Sequence, residues 1–289
     1  MNTISKPENG SGKPPLENNK GENEQTYPVS VLSGPAARFI PQWDDQILGP
    51  SNAILLQKNH DNTPKPISPS SVMLYGCSEC QLTWLVGAKG LSAATSHPSH
   101  RTYFHQDIET KRSIVTFMDG ACYKNGYPNA LIGVGAFFQE NSRFNISEKM
   151  AIPDNQKITT QRAELYALIV LLRSVRIHVL PERQAKVTEV SILTDRSTIH
   201  DTVRFRLIVG TKSSYIVNAL CAHSVNWELN STGLLRNKRG FIIHNSSEFL
   251  QVQEEVQALA DAGVQVQYYL VSRQNNTAAD RLARLALKT

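Results

Sequence analysis

Between residues 113 and 180 the chain changes its hydrophobic period once, and that change restricts its possible folds more than any other feature. The segments SIVTFMDGAC (113–122), LIGVGAFFQ (131–139) and RFNISEKM (143–150) are rich in β-branched and aromatic residues and are separated by turn formers. They predict three successive strands. The next stretch, TTQRAELYALIVLLRSVRIHVL (159–180), moves to helical spacing, with Ala163, Tyr166, Ala167, Val170 and Leu171 on one face and Thr160 as the expected N-cap. TEVSILTD (188–195) predicts a fourth strand, residues 214–230 one or two helices, and residues 246–262 an amphipathic helix closed by Gly263. VQVQYYLV (264–271) alternates as a fifth strand, and a last helix follows. The order βββαβαααβα predicts an α/β fold: a mixed five-stranded sheet with helices on both faces.

That pattern assigns residues 113–289 to one domain. Residues 1–28 hold almost nothing to bury and read as a disordered tail, while residues 29–112 keep no period for long. The chain has 289 residues, 40% of them hydrophobic, but no apolar run near the ~18 residues of a membrane span. A soluble protein without a membrane partner is expected. The first residues lack the apolar core of a secretory signal, so cytosol or nucleus is the expected location. Four cysteines do not make a disulfide framework in a chain of this size. The net charge of +5 suggests a polyanionic partner only weakly, because residues 196–212 alone contribute +3 (Arg196, Arg204, Arg206 and Lys212 against Asp201).

Four acids stand at the ends of predicted elements. Asp119 ends the first strand, Asp195 ends the fourth, Glu164 opens the long helix, and Asp280 lies in the first turns of the last one. Taken singly, each is explained as a turn residue or as a complement to a helix dipole. Taken with their neighbours they are not. DGACYKN (119–125), TTQRAELYAL (159–168), ILTD (192–195) continued by SSYIVNAL (213–220), and NNTAADRLARLA (275–286) resemble the four signature segments of the ribonuclease H family, in its order.

The resemblance implies that Asp119, Glu164, Asp195 and Asp280 are metal-binding carboxylates that cut the RNA strand of RNA–DNA hybrids internally. Four such groups packed together repel one another unless cations are present, and hard oxygen ligands suit Mg²⁺, with Mn²⁺ as a substitute. Two ions about 4 Å apart would serve an in-line displacement at phosphorus. By the same resemblance Cys122, Asn125 and Gln161 would read RNA 2′-hydroxyls, which distinguish RNA from DNA. Cys122 reads equally well as a small buried residue. Trp227 with Arg236, Lys238 and Arg239 would grip the other strand, although a solvated basic loop explains those charges as well. The loop VSRQNNTAAD lacks the histidine many family members carry, as in a His-less branch of the family. Arg273 in that loop would contact phosphate but cannot act as a base.

One feature departs from the family pattern. Seventeen residues, Arg196 to Lys212, separate Asp195 from the helix that should follow it directly, and deleting them restores ILTDSSYIVNAL. A tolerated surface loop is one reading. A retained intron of 51 nucleotides, in frame and with codons compatible with GT and AG ends, is the preferred one. If the segment is real in the protein, the third acid is displaced and a hybrid-binding protein with little turnover is expected. A DNA exonuclease on the same fold is a third reading. Protein partners are not specified by the sequence, and a monomer is expected.

Ahead of the domain, Cys77 and Cys80 form a CxxC and His97 and His100 an HxxH, a spacing that could hold a structural Zn²⁺. A small hydrophobic cluster of Cys80 with Trp84 is the competing explanation.

Overall fold

The computed structural model describes residues 37–38, 56–58, 64–66, 72–87, 113–127, 129–150, 157–183 and 205–289. The expected tail of residues 1–28 lies outside them, as do His97, His100 and Asp195. In chain order the strands are β1 (Ala37–Arg38), β2 (Leu56–Lys58), β3 (Pro64–Pro66), β4 (Val72–Gly76), β5 (Thr83–Gly87), β6 (Ser113–Tyr123), β7 (Leu131–Phe137) and β8 (Ile146–Met150). Helix α1 (Thr160–Ser174) continues into a π-helical turn, Val175–Val179. Then come β9 (Phe205–Thr211), α2 (Ser214–Asn218), β10 (Trp227–Leu229), β11 (Leu235–Asn237), α3 (Ser246–Asp261), β12 (Val264–Leu270) and α4 (Thr277–Ala286). Among the described residues no helix is long and apolar enough to cross a membrane.

The expected α/β architecture is present. Strands β6, β7, β8, β9 and β12 form a mixed sheet, with β7 and β8 antiparallel to their neighbours and β9 parallel to both β6 and β12. β6 is the hub because it is long enough to take two partners along one edge: β5 at Ser113–Val115 and β7 at Phe117–Tyr123. Its other edge takes β9, through Ser113–Phe117. Being covered on both faces, β6 and β9 read as nearly continuous apolar runs, and Leu207, Ile208 and Val209 are fully buried.

Helices cover both faces, and glycines set how closely they lie. Asp119 pairs with Gly135 across β6 and β7, so both project from one face, while Gly120 and Val134 project from the other. A Cβ on Gly135 would overlap the Ala279 and Ala283 backbone of α4. A Cβ on Gly120 would overlap the Ala163–Glu164 backbone of α1. The two helices therefore sit on opposite faces with backbone nearly against backbone. The cap of α1 is one residue earlier than expected, since the Thr159 hydroxyl accepts from the Arg162 N–H at 3.2 Å. α3 docks on α1 through Arg162–Glu248 (2.8 Å) and through Glu255, which binds Arg173 at 2.9 Å and Arg176 at 2.8 Å.

TEVSILTD, expected as the fourth strand, lies outside the described residues. The central place is taken by β9, which belongs to the segment expected as an insertion. Both segments carry the apolar pattern a central strand needs. β9 runs into the capped helix α2 after only Lys212 and Ser213.

The boundary at residue 113 also cuts across the sheet. The β4–β5 hairpin extends it along the β6 edge, and its turn is tied to the β7–β8 connection. Gln139 Nε2 donates to the Cys77 carbonyl at 2.8 Å, Ser142 Oγ to the Gln81 carbonyl at 2.6 Å, and Thr83 Oγ1 to the Phe138 carbonyl. Leu82 and Trp84 are buried in the common core.

Candidate active site

The site lies where β6 passes the C-terminal end of β9. Asp119 is inside β6, which continues to Tyr123, rather than at the strand end that the sequence suggested. Phe117 is opposite Gly210 in the parallel pairing, so continuing that register by two residues sets Asp119 beside Lys212. α4 brings Asp280 in from one face, held close by the small residues Ala279 and Ala283. α1 brings Glu164 in from the other face, because Gly120 lets its backbone approach.

Lys212 and Ser213, consecutive in the chain, engage all three of these acids. Lys212 Nζ is 2.7 Å from Asp119 Oδ2 and 2.9 Å from Asp280 Oδ1. The Ser213 hydroxyl donates to Glu164 Oε2 at 2.6 Å and accepts from the Ile216 N–H at 3.3 Å, capping α2. Asp119 Oδ1 accepts from the Gly120 N–H at 2.9 Å, and Asp280 Oδ2 is 2.6 Å from Arg284 Nε. Asn276, buried at the start of α4, donates to the Met118 carbonyl at 3.0 Å and joins α4 to β6 beside Asp119.

The electrostatics follow from burial and from that lysine. Burial pushes the Asp119 carboxyl up to about 6, and the neighbouring Asp280 adds to the rise, while Lys212 opposes it. Glu164 is also raised by burial, with Ser213 and Lys212 opposing. Burial pushes Asp280 in the same direction, but hydrogen bonds from Lys212 and Arg284 outweigh it and hold that carboxyl below its usual range. Lys212 loses by burial and gains more from Asp119 and Asp280, so its ammonium is held above the ordinary lysine value.

Asp119, Glu164 and Asp280 are thus brought to one place, and Asp195 lies outside the described residues. Among the described residues, Asp119, Glu164 and Asp280 as arranged do not offer the oxygens that a pair of Mg²⁺ or Mn²⁺ ions would need. Among the described residues no group of three or more His, Cys, Asp and Glu side chains is disposed to hold a metal. The oxygens that would bind one already face an ammonium, a guanidinium, a hydroxyl and a backbone N–H.

The residues expected to contact substrate divide. Asn125, Gln161 and Arg273 are exposed, Cys122 is partly buried, and Lys238 and Arg239 are exposed beyond β11. Arg236 is 3.7 Å from Glu228 across the β10–β11 hairpin. Trp227 is corrected: it is buried edge-on against Phe249, with ring centroids 4.9 Å apart, and offers no surface to a strand. Tyr123 and Tyr127, 55% and 66% exposed beside Asn125, present aromatic faces that the motif reading passed over. Lys212, Ser213 and Arg284 were also missed. The signal for Lys212 was present: Thr211-Lys212-Ser213 repeats the Thr-acid-Ser frame, with lysine where the acid stands.

Of the candidate zinc ligands, Cys77 and Cys80 are both 4% exposed within the core, and the Trp84 indole N–H donates to Cys80 Sγ at 3.2 Å. Burial pushes the Cys80 thiol up to about 11, opposed by the hydrogen bond from Trp84, with a smaller rise from Cys77.

A mixed sheet with this strand order, α1 and α4 on its opposite faces, and acids drawn to one place from β6, α1 and α4, define a ribonuclease H-like domain. In sequence the chain is similar to curated proteins named Ribonuclease H1. It is 25% identical over 180 residues to Ribonuclease H1 of Rattus norvegicus and 24% identical to that of Mus musculus, in each case over 61% of this chain and 50% of the relative. The chain therefore spans about half the length of the curated relatives it matches. No family model matches it. Among solved structures, the N-terminal RNase H domain of a Mycobacterium tuberculosis protein, fused to maltose-binding protein, is 20% identical, with a TM-score of 0.32, over 60% of this chain and 98% of that one. RNase H1 of Halobacterium salinarum is 18% identical, with a TM-score of 0.31, over 61% and 98%. LC11-RNase H1 in complex with RNA/DNA hybrid is 16% identical, with a TM-score of 0.34, over 60% and 96%.

Proposed function

We propose that the protein engages RNA–DNA hybrids through this domain and, in the arrangement described here, holds them without cutting. Similarity to relatives named Ribonuclease H1 supports the hybrid as ligand. Exposed Asn125 and Gln161, with Tyr123 and Tyr127 as stacking surfaces, suit the grip of a nucleic acid. The observation that carries the second half is Lys212 Nζ, 2.7 Å from Asp119 and 2.9 Å from Asp280. A cation fixed between two carboxylates leaves them unable to serve as ligands of a catalytic ion.

Metal-dependent internal hydrolysis of the RNA strand is the alternative, favoured by the four ordered signature segments. It needs the acids released from Lys212. A labelled RNA–DNA hybrid incubated with the full chain, with and without Mg²⁺, separates the two. Binding in preference to duplex DNA, with both strands intact on a denaturing gel, is the expected result. Internal cuts confined to the RNA would establish the alternative, and equal binding of both duplexes would remove the hybrid as the ligand.

A further inference from the structure

We infer that Lys212 is the resident cation of the carboxylate site and closes it to divalent metal, so that one side chain sets whether this site binds metal. The inference deepens the reading of a non-cutting ribonuclease H-like domain and rests on it for its functional meaning.

Lys212 is not a mobile surface lysine that happens to lie near acids. It joins the last residue of a central strand to the N-cap of α2, and both neighbours are fixed. The Thr211 carbonyl accepts from the Val271 N–H at 2.9 Å, and Ser213 is bound to Glu164 and Ile216. The lysine side chain is 18% exposed, and its ammonium spans acids from two different elements, β6 and α4.

The charge balance agrees. Asp119, Glu164 and Asp280 contribute three carboxylates, and Lys212 and Arg284 answer two of them. Counted over the described residues, a divalent ion entering beside Lys212 would meet a single negative charge in excess, well short of what hard cations require from a site. An ion replacing Lys212 would have to strip the ammonium from both carboxylates and leave it partly buried without partners, which is costly. The position is also where an acid would complete the donor set, since Lys212 directly follows the strand whose register, continued, aligns it with Asp119.

The test is a MnCl₂ titration of the full chain and of K212D and K212N in metal-stripped buffer, read by thermal melting and by loss of the free Mn²⁺ paramagnetic resonance signal. The wild-type chain should show no shift in melting temperature and no loss of signal. K212D should take up Mn²⁺, its melting temperature rising by roughly 5–10 °C at a hundredfold excess over its dissociation constant. K212N, which adds a neutral oxygen donor and no charge repulsion, should bind at least about tenfold more weakly than K212D yet measurably, and it carries the test if K212D does not fold. Binding of Mn²⁺ by the wild-type chain as tightly as by the variants, or no gain in either variant, would overturn the inference. Hybrid affinity in EDTA is scored separately: its loss in the wild-type chain would count against the proposed ligand and leave the metal result standing.

Discussion

Gly135 shows how a residue without a side chain determines where a charged one sits. Its missing Cβ lets α4 lie against β7, and α4 carries Asp280 to within 2.9 Å of Lys212. Gly135→Ala is expected to force α4 outward, with a loss of about 1–3 kcal/mol typical of overpacking and a drop in melting temperature of about 2–4 °C for each kcal/mol. Thermal melts of the purified variant check it, and an unchanged melting temperature would mean that α4 has slack the structure does not show. Lys212 decides chemistry at the same scale. The acids Asp119, Glu164 and Asp280 were legible because they stand in recognisable frames, whereas a lysine in an acid's frame reads as background until the register with β6 is known.

Among the elements, α1 and α3 are joined by charges at one seam. Glu255 is drawn up by burial, but Arg176 and Arg173 outweigh that and hold its carboxyl below the usual value of 4.5. A carboxylate depressed on folding contributes stability that is fully present above its ordinary value and is lost as pH falls through the lower folded one. Both arginines are substantially exposed, at 50% and 37%, so solvent screening limits the contribution to about 1 kcal/mol. Glu255→Gln should therefore be less stable than wild type near pH 7, with the gap closing as pH falls below 4.5. Denaturant melts across that range test it, and a gap independent of pH would assign the loss to packing. The same scale holds the ambiguity of the fourth strand. TEVSILTD and FRLIVGT both satisfy the apolar pattern of a buried parallel strand, and a period cannot rank two candidates for one place.

For the molecule as a whole, the β4–β5 hairpin makes the sheet larger than the family pattern implies. Leu82 and Trp84 are buried against the same core as Ile114 and Phe138, and β5 covers the edge of β6 at Ser113–Val115. A chain beginning at residue 113 should lose that cover, melt at a lower temperature than the full chain and associate through the bared edge. A chain that begins ahead of β4 should keep both properties. Melting together with size-exclusion chromatography distinguishes the two, and equal behaviour would make the hairpin an ornament.

The sequence by itself determined the class of fold, its opening run of three strands and a helix, and three acids on the elements that carry them. Those properties are written in local period, turn chemistry and short motifs. Only the tertiary structure decided which segment fills the centre of the sheet, that Trp227 is core, and that the cation among the acids is Lys212. Each of those outcomes depends on which residues lie opposite one another across strands far apart in the chain. Pairing of that kind is settled by competition for a single place in the sheet, and no local pattern records its winner.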